Sequence, residues 1–192
     1  METIISICLG IGLAASVGFR VFLPLFALSL AAHFGVWPLN ESWQWVGSVP
    51  ALITLGVATV VEIFAYFIPY IDNLLDSISV PLAAIAGTAV MLSTVSDLSP
   101  VITWALAIIA GGGTAAAISG SAGAARLTST ASTGGVANPV VSTIETGTAT
   151  ALSVVSIFIP VLAVVLVVFI LFLIFKFYKR FTRKTRMEKN YR

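Results

Sequence analysis

The chain has 192 residues, 58% of them hydrophobic and 9% charged, with a mean hydropathy of +1.06 and a formal net charge of +2. A soluble domain carries about 25% charged residues, so this composition excludes a water-soluble fold and points to an all-α polytopic membrane protein. The single cysteine, Cys8, excludes an intramolecular disulfide and a cysteine-based metal cluster.

The charge is unevenly spread. Lys176, Lys179, Arg180, Arg183, Lys184, Arg186, Lys189 and Arg192 all follow a long apolar run. Positive charge flanking a span marks the cytoplasmic side, and such a tail attracts anionic lipid headgroups. The expected organisation is one transmembrane domain, residues 1–175, and a basic cytoplasmic tail, residues 176–192. No basic domain accompanies the tail, so nucleic acid is not an expected partner.

In chain order, Met1-Glu2-Thr3 runs straight into apolar sequence without a basic leader, which predicts a first membrane segment and not a cleaved signal. Residues 4–34 are mostly apolar, and as one straight helix they would span about 46 Å against a hydrocarbon core of about 30 Å. Gly18 and Pro24 bracket Arg20, which predicts a kink, a break or a re-entrant hairpin there. Residues 33–49 hold Trp37, Trp43 and Trp45 beside polar groups, the mark of an interfacial connector. A second span is expected over 51–67, carrying Glu62, then a polar connector over 69–76, with one interfacial turn of helix as the alternative that would put Asp72 and Asp76 on one face, a short third span over 81–94, and a turn over 96–100. A fourth span, 101–118, ends near Gly111-Gly112-Gly113, small residues that permit close helix contact.

Residues 119–142 are built of Gly, Ala, Ser, Thr and Asn around Arg126. Irregular backbone at membrane depth survives only where it is buried in protein or lines a cavity. The expectation is a broken, re-entrant or cavity-lining segment, with a flexible extramembrane loop as the alternative. Residues 143–175 are again too long for one span and contain Pro160. A turn at Pro160 would give six spans with both termini inside. The neighbouring Ile157 to Leu162 hold nothing polar, which favours five spans with one long, kinked last helix and an outside N-terminus. A weak inverted repeat is also legible: each half has a small-residue segment bearing one Arg, then a helix bearing one Glu. Interrupted helices in inverted repeats build many transporters.

Arg20, Arg126, Glu62 and Glu145 are the only strongly apolar placements of charge. Each would cost about 2.5–3.5 kcal/mol at the bilayer centre if left unpaired. Guanidinium is a fixed fork suited to carboxylate or phosphate, so Arg20 and Arg126, with Asn138 and Ser142, are the candidate substrate-binding residues. The alternative is that each Arg pairs with a Glu and locks helices together. Glu62 and Glu145 are candidate proton or ion carriers, since a carboxyl in an apolar setting can load and unload protons near neutrality; otherwise they are structural. Asp72 and Asp76, four apart, are weak candidates for holding Mg²⁺ or Ca²⁺, with solvated interfacial residues the alternative; no metal site is predicted. His33 is expected to be an interfacial structural residue. The hydroxyls of Ser119, Ser121, Thr128, Ser129, Thr130, Ser132 and Thr133 are expected to satisfy their own backbone rather than line an ion path.

Gly18-Phe19-Arg20-Val21-Phe22-Leu23-Pro24-Leu25, then Glu62 with Pro69 and Asp72, then Arg126 with Asn138-Pro139 and Ser142-Thr143-Ile144-Glu145, resemble a bacterial integral-membrane family known as domain of unknown function 4126. The resemblance covers the chain up to the basic tail. It implies a bacterial inner-membrane architecture and no particular activity. The family pattern has an Asp-Lys pair where this chain has Tyr66 and Phe67, a His and a Lys where it has Ser119 and Ala122, and an Asp where it has Thr146. Both arginines and both glutamates are kept.

The chain shows no Ser-His-Asp set, phosphate-binding loop, zinc motif or nucleotide fingerprint, so neither an enzyme nor a cofactor is expected. The expected function is a transporter or flippase for an anionic solute or lipid-phosphate headgroup, working as a homo-oligomer among membrane lipids. The alternative is a non-transporting scaffold or assembly protein whose buried charges are structural and whose tail binds anionic lipid or a partner.

Overall fold

The computed structural model describes residues 2–190 except Pro69, Tyr70 and Asp97, and no side chain at position 177 or from 180 onward. Among these residues the chain is all-helical: α1 (Glu2–Val17), α2 (Phe22–His33), a 3-10 turn (Glu41–Gly47), α3 (Val49–Ala65), α4 (Ile71–Thr94), α5 (Pro100–Leu106), a π-helical turn (Ala107–Gly112), α6 (Gly113–Thr133), α7 (Asn138–Phe158) and α8 (Pro160–Asn190). Three helical stretches are long and apolar enough to cross a membrane: Ile71–Thr94, the continuous Pro100–Thr133 and Asn138–Phe158. The 3-10 turn and α3, bent by 64° at Ser48, bring the number to four where such a bent pair is counted as one span.

The break expected beside Arg20 is present, between Val17 and Phe22. Three other expectations need correction. The third span does not begin at Pro81: α4 starts at Ile71, keeps Pro81 inside it, and so carries Asp72 and Asp76 on a helix and not on a connector. Residues 119–133 are not irregular but continue one helix from Pro100, and Ser119, Ala122, Gly123 and Arg126 on it do line a cavity. Four of their hydroxyls bond the carbonyl one turn back, Ser121 to Ala117, Thr128 to Ala124, Ser132 to Thr128 and Thr133 to Ser129, while Ser119 and the buried Ser129 Oγ have no such partner among the described residues. Polarity at these four positions is thereby satisfied locally, and the Ala-rich backbone keeps its helical preference. The irregular part shrinks to the turn at Gly134 and Gly135, whose φ of 64° and 88° suit glycine. Finally, Pro160 does not merely kink one long helix. The chain leaves helical geometry at Ile159 (φ −140°, ψ 67°) and restarts with Pro160 at the first position of α8. The tail expected over 176–192 continues α8 as backbone to Asn190, and the side chains of its basic residues from Arg180 onward lie outside the described ones.

Helix α1 is the hub. It packs against α2, α4, α6, α7 and α8, and Leu13, Ala14, Ala15 and Ser16 are fully enclosed. Small residues make this closeness feasible. A Cβ at Gly12 would sit 2.3 Å from Ser156 Oγ and 2.8 Å from Ala163 Cβ, so α7 and α8 both lie against the same turn of α1. The glycine run acts similarly: a Cβ at Gly111 would lie 2.6 Å from the Gly87 carbonyl, which brings the π-helical turn onto α4. Helix α3 is peripheral and packs on α2 and the 3-10 turn, with Ile53, Val57, Val61 and Phe64 exposed.

Candidate functional site

The four charges singled out in the sequence converge at the α1–α2 break. Buried residues of α7 recur at Asn138, Ser142, Glu145, Ala149, Leu152, Ser153 and Ser156, one face of a helix. That face meets the break and presents Glu145. Arg20, 1% exposed, points into it. Its Nη1 donates to Glu145 Oε2 (3.1 Å) and to the Phe19 carbonyl (3.1 Å). Its Nη2 donates to the Ser142 carbonyl (2.9 Å) and Ser142 Oγ (2.6 Å), and its Nε to Thr146 Oγ1 (3.0 Å). All five guanidinium hydrogens are used.

Arg126 reaches the same carboxylate from α6. Its Nε donates to Glu145 Oε1 (3.2 Å) and its Nη2 to Glu145 Oε2, while Nη1 donates to Asp76 Oδ1 on α4 (2.7 Å). Glu145 therefore bridges both arginines. Tyr66, just after α3, lies against both cations, its ring centroid 4.1 Å from the Arg20 guanidinium carbon and 4.0 Å from that of Arg126. Such contacts are worth about 2 kcal/mol or more each when desolvated.

Glu62 takes a different part. Its carboxylate accepts from the backbone N–H of Val21 (2.7 Å) and Phe22 (3.0 Å). These are the first amides of α2, which have no intrahelical partner, and a negative charge there also meets the positive end of the helix. The break beside Arg20 is thus held open by a carboxylate from α3. Asp72, in the first turn of α4, accepts from Asn138 Nδ2 (3.0 Å) and from the Asn73 amide (2.8 Å), and Asn138 also donates to Thr130 Oγ1 (3.0 Å).

Sequence reasoning named Arg20, Arg126, Glu62, Glu145, Asn138 and Ser142, and these do assemble, with the arginines bonded to protein oxygens. Asp72 and Asp76 bond separate partners, Asn138 and Arg126. Among the described residues no group of three acidic, His or Cys side chains could hold a metal ion. His33 sits far off, its Nδ1 2.9 Å from the Gly47 carbonyl at the 3-10 turn. The weak repeat does not extend to equivalent roles: Arg20 lies in a break and Arg126 inside a helix, and the two glutamates take different partners.

The reading missed Tyr66, Thr146 and the role of Asp76. Spacing carried the signal, since Tyr66 follows Glu62, Asp76 follows Asp72 and Thr146 follows Ser142 by four residues, one helical turn on the same face. Tyr66, Ser119, Ala122 and Thr146, where the chain departs from the resembled pattern, all border this site.

Between the break, α3, α4 and α6 lies a small cavity of about 10 Å³. It is bordered by Gly18, Glu62, Tyr66, Asp76, Ser119 and Arg126. Arg20 is not on its wall. Of the two cations, only Arg126 faces open space.

No curated protein and no solved structure matches the sequence. A family model matches residues 7–180, and by that match the chain belongs to the family described as Domain of unknown function (DUF4126).

Proposed function

We propose that the protein is a membrane transporter for a small anionic solute or lipid-phosphate headgroup, in which Arg126 exchanges a protein carboxylate for the substrate's anionic group. One observation carries this reading: Arg126 borders the cavity at a broken helix while sharing Glu145 with Arg20. Glu145 could leave Arg126 and stay neutralised by Arg20. Proton or cation uptake by Glu62 or Glu145 would drive that exchange. Broken helices beside ion and substrate sites are the transporter pattern. Arg20, saturated by protein, is a positioning residue in this scheme, and Ser142 and Asn138 act through Arg20 and Asp72.

The span count belongs to the same proposal. We read α1 with α2 as one broken segment, then α3, α4, α5 through α6, α7 and α8, which makes six crossings and puts both termini on one side. The shared contact of Ser156 and Ala163 with Gly12 supports α8 returning along α7. The basic residues after Phe175 favour a cytoplasmic C-terminus, contact with anionic lipid, and residence in a bacterial inner membrane.

Proteoliposomes challenged with inorganic phosphate, short-chain carboxylates and a headgroup-labelled phospholipid test the reading. Uptake or scrambling of one of these should vanish in Arg126→Ala and survive weakened in Arg126→Lys. Activity unchanged in Arg126→Ala would sink it. A second reading, a non-transporting scaffold, draws on the saturation of Arg20: it predicts that the arginine variants lower yield and melting temperature, and that loss of residues 176–192 abolishes the cellular role.

A further inference from the structure

The network holds more negative than positive charge. Two guanidiniums, Arg20 and Arg126, pair with Glu145 and Asp76, while Glu62 is held by the first amides of α2 and Asp72, one turn earlier on α4, by Asn138, with no cation bonded to either among the described residues. Surplus buried charge is costly in low-dielectric surroundings unless something neutralises it. The same cavity supplies a place. In an uninterrupted helix the Val21 and Phe22 amides would bond the Val17 and Gly18 carbonyls. Both amides go instead to Glu62, which releases those carbonyls at the negative end of α1. Val17 and Gly18 border the cavity, and so does Ser119, which is 5% exposed and whose hydroxyl has no hydrogen-bond partner among the described residues. Oxygen ligands from two carboxylates, a hydroxyl and a helix break suit a hard monovalent cation. The space, about that of one water, suits a small one.

We propose that this cavity, at the α1–α2 break between Glu62, Asp76 and Ser119, binds a sodium ion. The proposal names the coupling ion of the transport reading and rests on that reading for its role, while binding itself is measured apart from transport. A water molecule would fit the space but leave the surplus charge in place. A proton on Glu62 would disturb a carboxylate whose two oxygens both accept amide bonds. Sodium uses the lone pairs those bonds leave free.

The test is thermal unfolding of the purified protein, followed by tryptophan fluorescence, in choline chloride replaced stepwise by NaCl or KCl at constant ionic strength. A saturable rise in melting temperature with NaCl, smaller with KCl, is expected. It should disappear in Glu62→Gln and need about tenfold more sodium in Ser119→Ala, the loss of one good ligand contact. Ser119→Ala leaves every observed hydrogen bond intact and covers the case in which Glu62→Gln does not fold. Equal curves in the three salts overturn the proposal, as does an unaltered sodium response in Ser119→Ala. A melting temperature that follows pH but ignores sodium also overturns it and assigns neutralisation to a proton. Sodium binding without sodium-driven uptake of any probe keeps the site and removes the transport reading. Proton-driven uptake with no sodium response does the reverse.

Discussion

Replacing Arg20 by methionine isolates the worth of the bridged ion network. The substitution keeps an apolar stem of similar length and removes five hydrogen bonds. Removing one partner of a buried ion pair costs about 3–5 kcal/mol. Glu145 keeps Arg126 on both oxygens, and Thr146 Oγ1 keeps its bond to the Ser142 carbonyl (2.9 Å). The loss therefore falls near the lower end, about 3 kcal/mol, which for a chain of this size lowers the melting temperature by roughly 6–12 °C. Glu145→Gln should cost more, because it leaves two cations against Tyr66 with Asp76 as their one directly bonded carboxylate. The double variant removes one charge of each sign. It should be less destabilised than the sum of the singles by about 1–3 kcal/mol, the coupling expected of residues in one network. The assay is thermal or SDS-driven unfolding in bicelles for wild type, both singles and the double. Additivity within about 0.5 kcal/mol would show that the two side chains do not act as one unit, and would refute the argument.

Three further expectations are simpler. Gly12→Ala places a methyl into Ser156 and Ala163 and should cost about 1–3 kcal/mol, whereas Gly147→Ala, with open space around its Cβ position on α7, should be neutral or stabilising by up to about 1 kcal/mol; melting temperatures of the pair decide. Tyr66→Phe keeps the ring beneath both cations and should melt close to wild type, while Tyr66→Leu loses it and should cost about 2 kcal/mol or more; equal effects would argue against the ring. Glu62→Gln should speed hydrogen exchange at the Val21 and Phe22 amides, because a neutral side chain with one acceptor oxygen replaces two charged ones; unchanged exchange there would remove Glu62 as the cap of α2.

Much of this was legible in residue order. Hydropathy alone separates the chain from soluble folds, because burying this much apolar surface without lipid is not feasible. Gly18 and Pro24 mark the break at Arg20, because glycine and proline act on their own backbone, whereas Pro160, expected to kink one long helix, ends α7 and starts α8. The rarity of charge in apolar sequence picks out Arg20, Glu62, Arg126 and Glu145. The same local logic misread residues 119–133 as irregular, where four hydroxyls bond back within the helix, and allowed residues 71–76 at most one turn of helix, where they form the first turns of α4.

Partnership was decided only in three dimensions. Arg20 and Glu145 are 125 positions apart, and Arg126 and Asp76 are 50 apart. Each guanidinium could have served any carboxylate its length allowed. The choice fell to the close approach of helices at Gly12, Gly87 and Gly111, and to the face of α7 that this packing turns inward. Glu62 looks equivalent to Glu145 in the sequence, yet it caps a helix while Glu145 bridges two cations, because the α1–α2 break sets the Val21 and Phe22 amides against Glu62. Local chemistry fixed which charges had to be accommodated in an apolar setting, and the helix packing determined what accommodates each one.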